Sequence, residues 1–102
     1  MIFDENTAIT DNEKLPIGAP LTVLRYKTIK KSSSLGWWSA VVLLEDHGKK
    51  LVCFYRWHKK KGEWKRDKKL PFRNASDWVL FRTAIEEFIP SLDEPGKQTL
   101  QG

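Results

Sequence analysis

Cysteine, histidine and long apolar runs are the scarce features of this 102-residue chain. A single cysteine, Cys53, excludes an internal disulfide and any metal site built from cysteines, and it points to a reducing compartment. The only histidines are His47, in a turn, and His58, at a strand end among lysines. Neither has a serine, cysteine or carboxylate set around it at a spacing that frames nucleophilic or acid–base catalysis. No glycine-rich loop opens a helix, so no nucleotide cradle is expected. Enzymatic activity, a cofactor, a metal and a small-molecule substrate are therefore not expected. No run approaches the roughly 20 apolar residues of a membrane span. The opening MIFDENTAITDNEK is acidic and unlike a signal peptide. The expectation is a soluble intracellular protein, cytoplasmic (nucleoid-associated) or nuclear, with no membrane partner.

Acid is also scarce in the body of the chain. The net charge is +5, yet residues 1–19 carry Asp4, Glu5, Asp11 and Glu13 against Lys14, and residues 90–102 carry Asp93 and Glu94 against Lys97. The intervening 20–89 segment thus holds +9. A basic body between acidic ends suits a polyanionic partner. We read 1–19 as a flexible acidic arm, 20–89 as one binding domain and 90–102 as a flexible tail.

The pattern of the body predicts four strands and a helix. Leu21–Lys30 alternates, with Leu21, Val23, Arg25, Lys27 and Ile29 on one parity. KSSSLG over 31–36 is a loop. Trp37–Glu45 is apolar on both parities, as a central strand would be. Gly48 marks a turn into Lys50–His58, and the two strands make an antiparallel hairpin. KKKG over 59–62 turns the chain into Glu63–Phe72, where Pro71 marks an edge, a bulge or a strand end. Asn74 or Ser76 caps a helix that runs to about Phe88 before Pro90. Its Trp78, Phe81 and Ile85 share a face, which makes Trp78 a core anchor.

What is plentiful is aromatic and basic side chains together. Five tryptophans occur in the chain, and Trp37, Trp38, Trp57 and Trp64 fall on predicted strands. Lys59–Lys69 holds seven basic residues and two acids. Cations attract phosphates without reading sequence, and flat rings stack on unpaired bases at about 1–3 kcal/mol per base. Tyr55, Trp57, Trp64 and Trp37, with Lys59 and the neighbouring cations, are therefore candidates for contact with single-stranded DNA, or RNA. At least two of the four strand tryptophans are expected on one open face of the sheet.

Gly48-Lys49, a strand with Arg56-Trp57, Gly62-Glu63, Lys65, Lys69-Leu70, Phe72 and the helical Trp78 together resemble the positive-cofactor-four transcriptional coactivators, a Whirly-like single-stranded DNA-binding group. The resemblance covers roughly residues 37–89. It implies an α+β fold, a curved four-stranded antiparallel sheet followed by one C-terminal helix (ββββα). It also implies a homodimer that holds single-stranded DNA along the sheet ridges, in transcription, replication or repair. Carried over by position, Lys49, Arg56, Trp57, Lys65 and Lys69 would contact DNA. The chain departs from the family pattern in running Lys69 straight into Leu70, in Pro71, in Trp64 and in having Asp46-His47 before the Gly48 turn.

Two other classes compete. A Tudor or SH3-like barrel could use its aromatics as a cage for a methylated cation. The +9 body argues against that cage, which usually has acidic neighbours. Alternatively, a protein partner buries the aromatic surface.

Overall fold

The computed structural model describes residues 13–95. Four strands form one antiparallel meander in the order β1-β2-β3-β4: β1 Thr22–Ser32, β2 Trp37–Asp46, β3 Lys49–Lys60 and β4 Glu63–Phe72. Helix α1, Ala75–Phe88, follows, and a 3-10 turn at Ile89–Asp93 continues from it. The sheet is curved and unclosed, with β1 and β4 as its edges, so the α+β ββββα expectation holds and the barrel does not. No helix among the described residues is long and apolar enough to cross a membrane.

Two tight hairpins set the register. His47 and Gly48 have φ of 52° and 82°, and Lys61 and Gly62 have φ of 52° and 80°. Both pairs are left-handed, as a two-residue type I′ loop requires, and its twist matches that of the flanking strands. The β2–β3 pairing then runs without slip from Trp37↔His58 to Asp46↔Lys49.

β1 departs from strict alternation. Register shifts between Val23 and Arg25 and between Thr28 and Lys30 leave Leu24 and Ile29 as extra residues. Each bulge advances the side-chain parity by one. Val23, Tyr26, Thr28 and Lys31 consequently share a face, in place of the expected Val23, Arg25, Lys27 and Ile29. A third shift opposite Arg56 and Trp57 leaves Asp67 extra on β4.

The core lies on one face of the sheet. Trp38, Ala40, Val42 and Leu44 of β2 stand opposite Trp57, Tyr55, Cys53 and Leu51 of β3, and all eight are buried. Leu15, from the segment that precedes β1, completes this cluster at 4% exposure, with Ile17, Leu21 and Trp64 packed against it. The arm assigned to residues 1–19 is therefore seated on the sheet from Glu13 onward; its first 12 residues, and the tail from residue 96, lie outside the described residues.

Helix α1 begins as its sequence predicts. Asn74 is the N-cap, and its side-chain oxygen accepts the Asp77 N–H at 2.8 Å. Its apolar side meets β4 through Phe72, whose ring lies edge-on to Trp78 at 5.5 Å and to Phe81 at 5.1 Å. No residue of the helix is buried, however, and Trp78 is 43% exposed. Trp78 is thus not the core anchor expected, because the core formed on the other face of the sheet.

Candidate nucleic-acid interface

The pleat divides the predicted contacts between two faces. Tyr55, Trp57 and Lys59 alternate along β3 on the core face, and Trp64 and Lys69 stand opposite Lys59 and Tyr55 on β4. Arg56 and Trp37 project from the other face, with Lys65 opposite His58. Lys49 begins β3, eight residues before Trp57, a separation of about 26 Å along an extended strand. It does not join either group.

The core-face group is built around stacked rings. Tyr55 and Trp57 lie parallel, with centroids 5.2 Å apart and an interplanar angle of 4°. Trp57 tilts against Trp38 at 5.1 Å, and Trp38 meets Trp64 edge-on at 5.5 Å. The Trp38 indole N–H donates to Thr28 Oγ1 at 3.1 Å. Trp57 is 0% exposed and its indole N–H is buried without a partner among the described residues, a condition that costs about 1–3 kcal/mol. Tyr55 is 2% exposed. Tyr55 and Trp57, expected as base-stacking contacts, are core rings in this conformation, because odd-numbered β3 side chains here point beneath the Leu15 segment. Burial pushes the Tyr55 phenol and the Cys53 thiol up, and the thiol shift is opposed by nearby Lys69 and Arg73.

Cations ring this cluster where it reaches solvent. Lys31 Nζ lies 4.0 Å from the Trp38 ring centroid and 5.8 Å from that of Trp64. Lys59 Nζ lies 5.0 Å from the Trp64 centroid, and Lys69 Nζ lies 5.8 Å from that of Tyr55. Trp64 is half-buried and keeps part of its surface in solvent. Beyond it the β3–β4 hairpin carries Lys60, Lys61, Lys65, Arg66 and Lys68, and only Lys65 among them has an acid partner among the described residues, Glu63 at 3.0 Å.

No family model, curated protein or solved structure matches this chain.

The second face has its own cluster. Trp37 is 38% exposed and stacks on His58 at 4.2 Å, with the Arg56 guanidinium carbon 4.8 Å from its centroid. Arg56 is committed to an acid. Its Nη2 lies 2.6 Å from Asp67 Oδ2, and its Nε donates to the same oxygen at 2.8 Å. This hydrogen bond holds the Asp67 carboxyl below its ordinary range. The bulge explains the pairing, since the extra residue on β4 brings Asp67 beside Arg56. Two of the four strand tryptophans are therefore solvent-accessible, but Trp37 and Trp64 lie on opposite faces rather than on one.

Gly36 closes this end of the sheet. Its φ is +75°, and a Cβ there would sit 3.3 Å from Lys59 Cβ, while its carbonyl accepts the Lys59 N–H at 2.9 Å. Glycine is thus needed both for the turn and for the close approach of the loop to β3.

Farther along the second face, sequence reasoning missed an open apolar groove of about 1010 Å3. Val41, Val52, Phe54 and Leu70 floor it, Trp78 and Phe81 wall it, and Lys50 and Arg73 stand at its rim. The signal was present in the alternate β3 parity, Val52 and Phe54, which grows polar only at Arg56.

Proposed function

We propose that the chain binds single-stranded nucleic acid with little sequence preference, DNA being the expected form, through the β3–β4 hairpin and the Trp64 rim. One observation carries this reading. The half-buried Trp64 ring has Lys59 at 5.0 Å and Lys31 at 5.8 Å and lies beside the Lys61-Gly62 turn of a hairpin dense in lysine and arginine. That arrangement sets a stacking surface beside phosphate-binding cations. An unpaired strand can use both parts, whereas a duplex hides its base faces and can use only the cations. Lys59, Lys69 and Trp64 are the contacts proposed, with Arg66 added from the same face; Lys65 stands on the opposite face of the hairpin. Arg56 and Trp37 form a secondary patch on the opposite face of the sheet. Duplex binding as tight as single-strand binding, measured by anisotropy with matched lengths, would refute this reading.

The groove favours a protein partner in addition. Val41, Val52, Trp78, Val79, Phe81 and Ile85 are each 37–44% exposed, Phe88 is 66% and Leu92 is 77%. Val41, Val52, Trp78 and Phe81 join in one groove, and exposed apolar surface of this kind marks an interface. A homodimer, the partner implied by the family resemblance, would cover α1 and the apolar half of the second sheet face. It would leave the basic hairpins free. Transcription, replication and repair all offer such a protein its single-stranded ligand.

A further inference from the structure

The aromatic face is covered by the chain's own N-terminal segment. Residues 13–21 place Leu15, Ile17 and Leu21 on the cluster that holds Trp38, Tyr55 and Trp57. Two polar contacts tether the segment's start. The Glu13 carboxylate pairs with Lys31 Nζ, and the Tyr26 hydroxyl donates to the Glu13 carbonyl. Among the described residues the segment's backbone hydrogen bonds are its own turns, Ile17 N–H to Leu15 and Leu21 N–H to Gly18, and none joins it to the sheet ladder. Among the described residues its one main-chain bond to the sheet is the Tyr26 hydroxyl on the Glu13 carbonyl, and the rest of its contact is through side chains.

We propose that residues 13–21 are a strap that occupies the base-stacking face in cis and that a single strand displaces. The proposal rests on the functional reading above and adds the regulation of that site. Each part of the strap stands where a part of the ligand would go. Glu13 places a carboxylate on Lys31, a cation already seated over the Trp38 ring and only 11% exposed, where a phosphate would bind. Leu15 is buried in the same cluster as the parallel Tyr55 and Trp57 rings, where a base would stack. The buried Trp57 N–H, which has no partner among the described residues, would gain one from the acceptor-rich edge of a base or from a phosphate. With the strap seated, only Trp64 and the hairpin cations meet the ligand. With it lifted, Trp38, Tyr55 and Trp57 are added. The intrinsic affinity is then reduced by the fraction of molecules with the strap open.

The test uses the full chain, a fluorescein-labelled dT oligonucleotide and two variants. Leu15→Asn weakens the strap's apolar anchor, and Glu13→Gln removes the charge on Lys31. Both should bind dT more tightly than the wild type, Leu15→Asn on the order of tenfold. Both should also show faster acrylamide quenching of tryptophan emission before DNA is added. Far-UV circular dichroism confirms folding; if Leu15→Asn does not fold, Glu13→Gln decides alone. A wild type that binds dT while the folded variants bind equally or more weakly overturns the strap and leaves the functional reading standing. Failure of wild type and variants alike to bind overturns both.

Discussion

Replacing Trp57 with alanine separates a core role from a ligand role. Trp57 is fully buried, lies parallel to Tyr55 at 5.2 Å and touches Trp38 at 5.1 Å. Truncating a buried aromatic to alanine costs about 3–5 kcal/mol. A domain of this size has a total stability of roughly 5–15 kcal/mol, so Trp57→Ala should remove about a fifth of it or more. The thermal midpoint should fall by roughly 15–30 °C. Trp57→Phe is the control. It keeps a ring against Tyr55 and deletes the unpartnered indole N–H, relieving a burial penalty of about 1–3 kcal/mol that offsets part of the lost packing. Its midpoint should therefore lie much nearer the wild type than that of the alanine variant. Calorimetry or thermal circular dichroism reads both. A Trp57→Ala protein that melts within a few degrees of the wild type and loses only ligand affinity would refute the placement of Trp57 in the core.

Trp64→Ala should show the converse pattern, with single-strand affinity falling by about 1–3 kcal/mol and a much smaller loss of thermal stability, read by anisotropy and calorimetry on the same sample. Asp67 gives a pH signature. Its folded-state pKa lies below the ordinary value because Arg56 hydrogen-bonds it, so its contribution is present above the usual aspartate pKa of about 3.9 and is lost as pH falls through the folded value. Asp67→Asn should flatten the acid limb of the stability curve in that window and, by releasing Arg56, should strengthen single-strand binding at neutral pH. An unchanged acid limb would count against the pairing. For the apolar groove, the wild type should sediment as a dimer and Phe81→Glu as a monomer; a monomeric wild type would remove the homodimer.

The strands, both hairpin turns and the Asn74 cap were legible in the sequence because each rests on local chemistry. His47-Gly48 and Lys61-Gly62 supply the two left-handed residues that a type I′ loop needs, and Pro71 falls on an edge strand as its missing donor requires. The face assignments were less legible. Parity in β1 and β4 depends on where the bulges fall, and nothing in LTVLRYKTIK marks Leu24 and Ile29 as the extra residues. The covered face was also hidden. Leu15 and Ile17 sit in a polar stretch, and their burial comes from tertiary contact rather than from any period. Cations interleaved with aromatics suggested one surface, but Tyr55 and Trp57 were required beneath the strap while Lys59 and Trp64 remained at its rim.

The most direct test of the central proposal is a tryptophan-fluorescence titration with a dT oligonucleotide at several salt concentrations, with a matched duplex as control. Binding through the hairpin cations and the Trp64 ring predicts saturable quenching, preference for the single strand, and an affinity that falls linearly in log salt. No quenching at low salt, or equal affinity for the duplex, would contradict it.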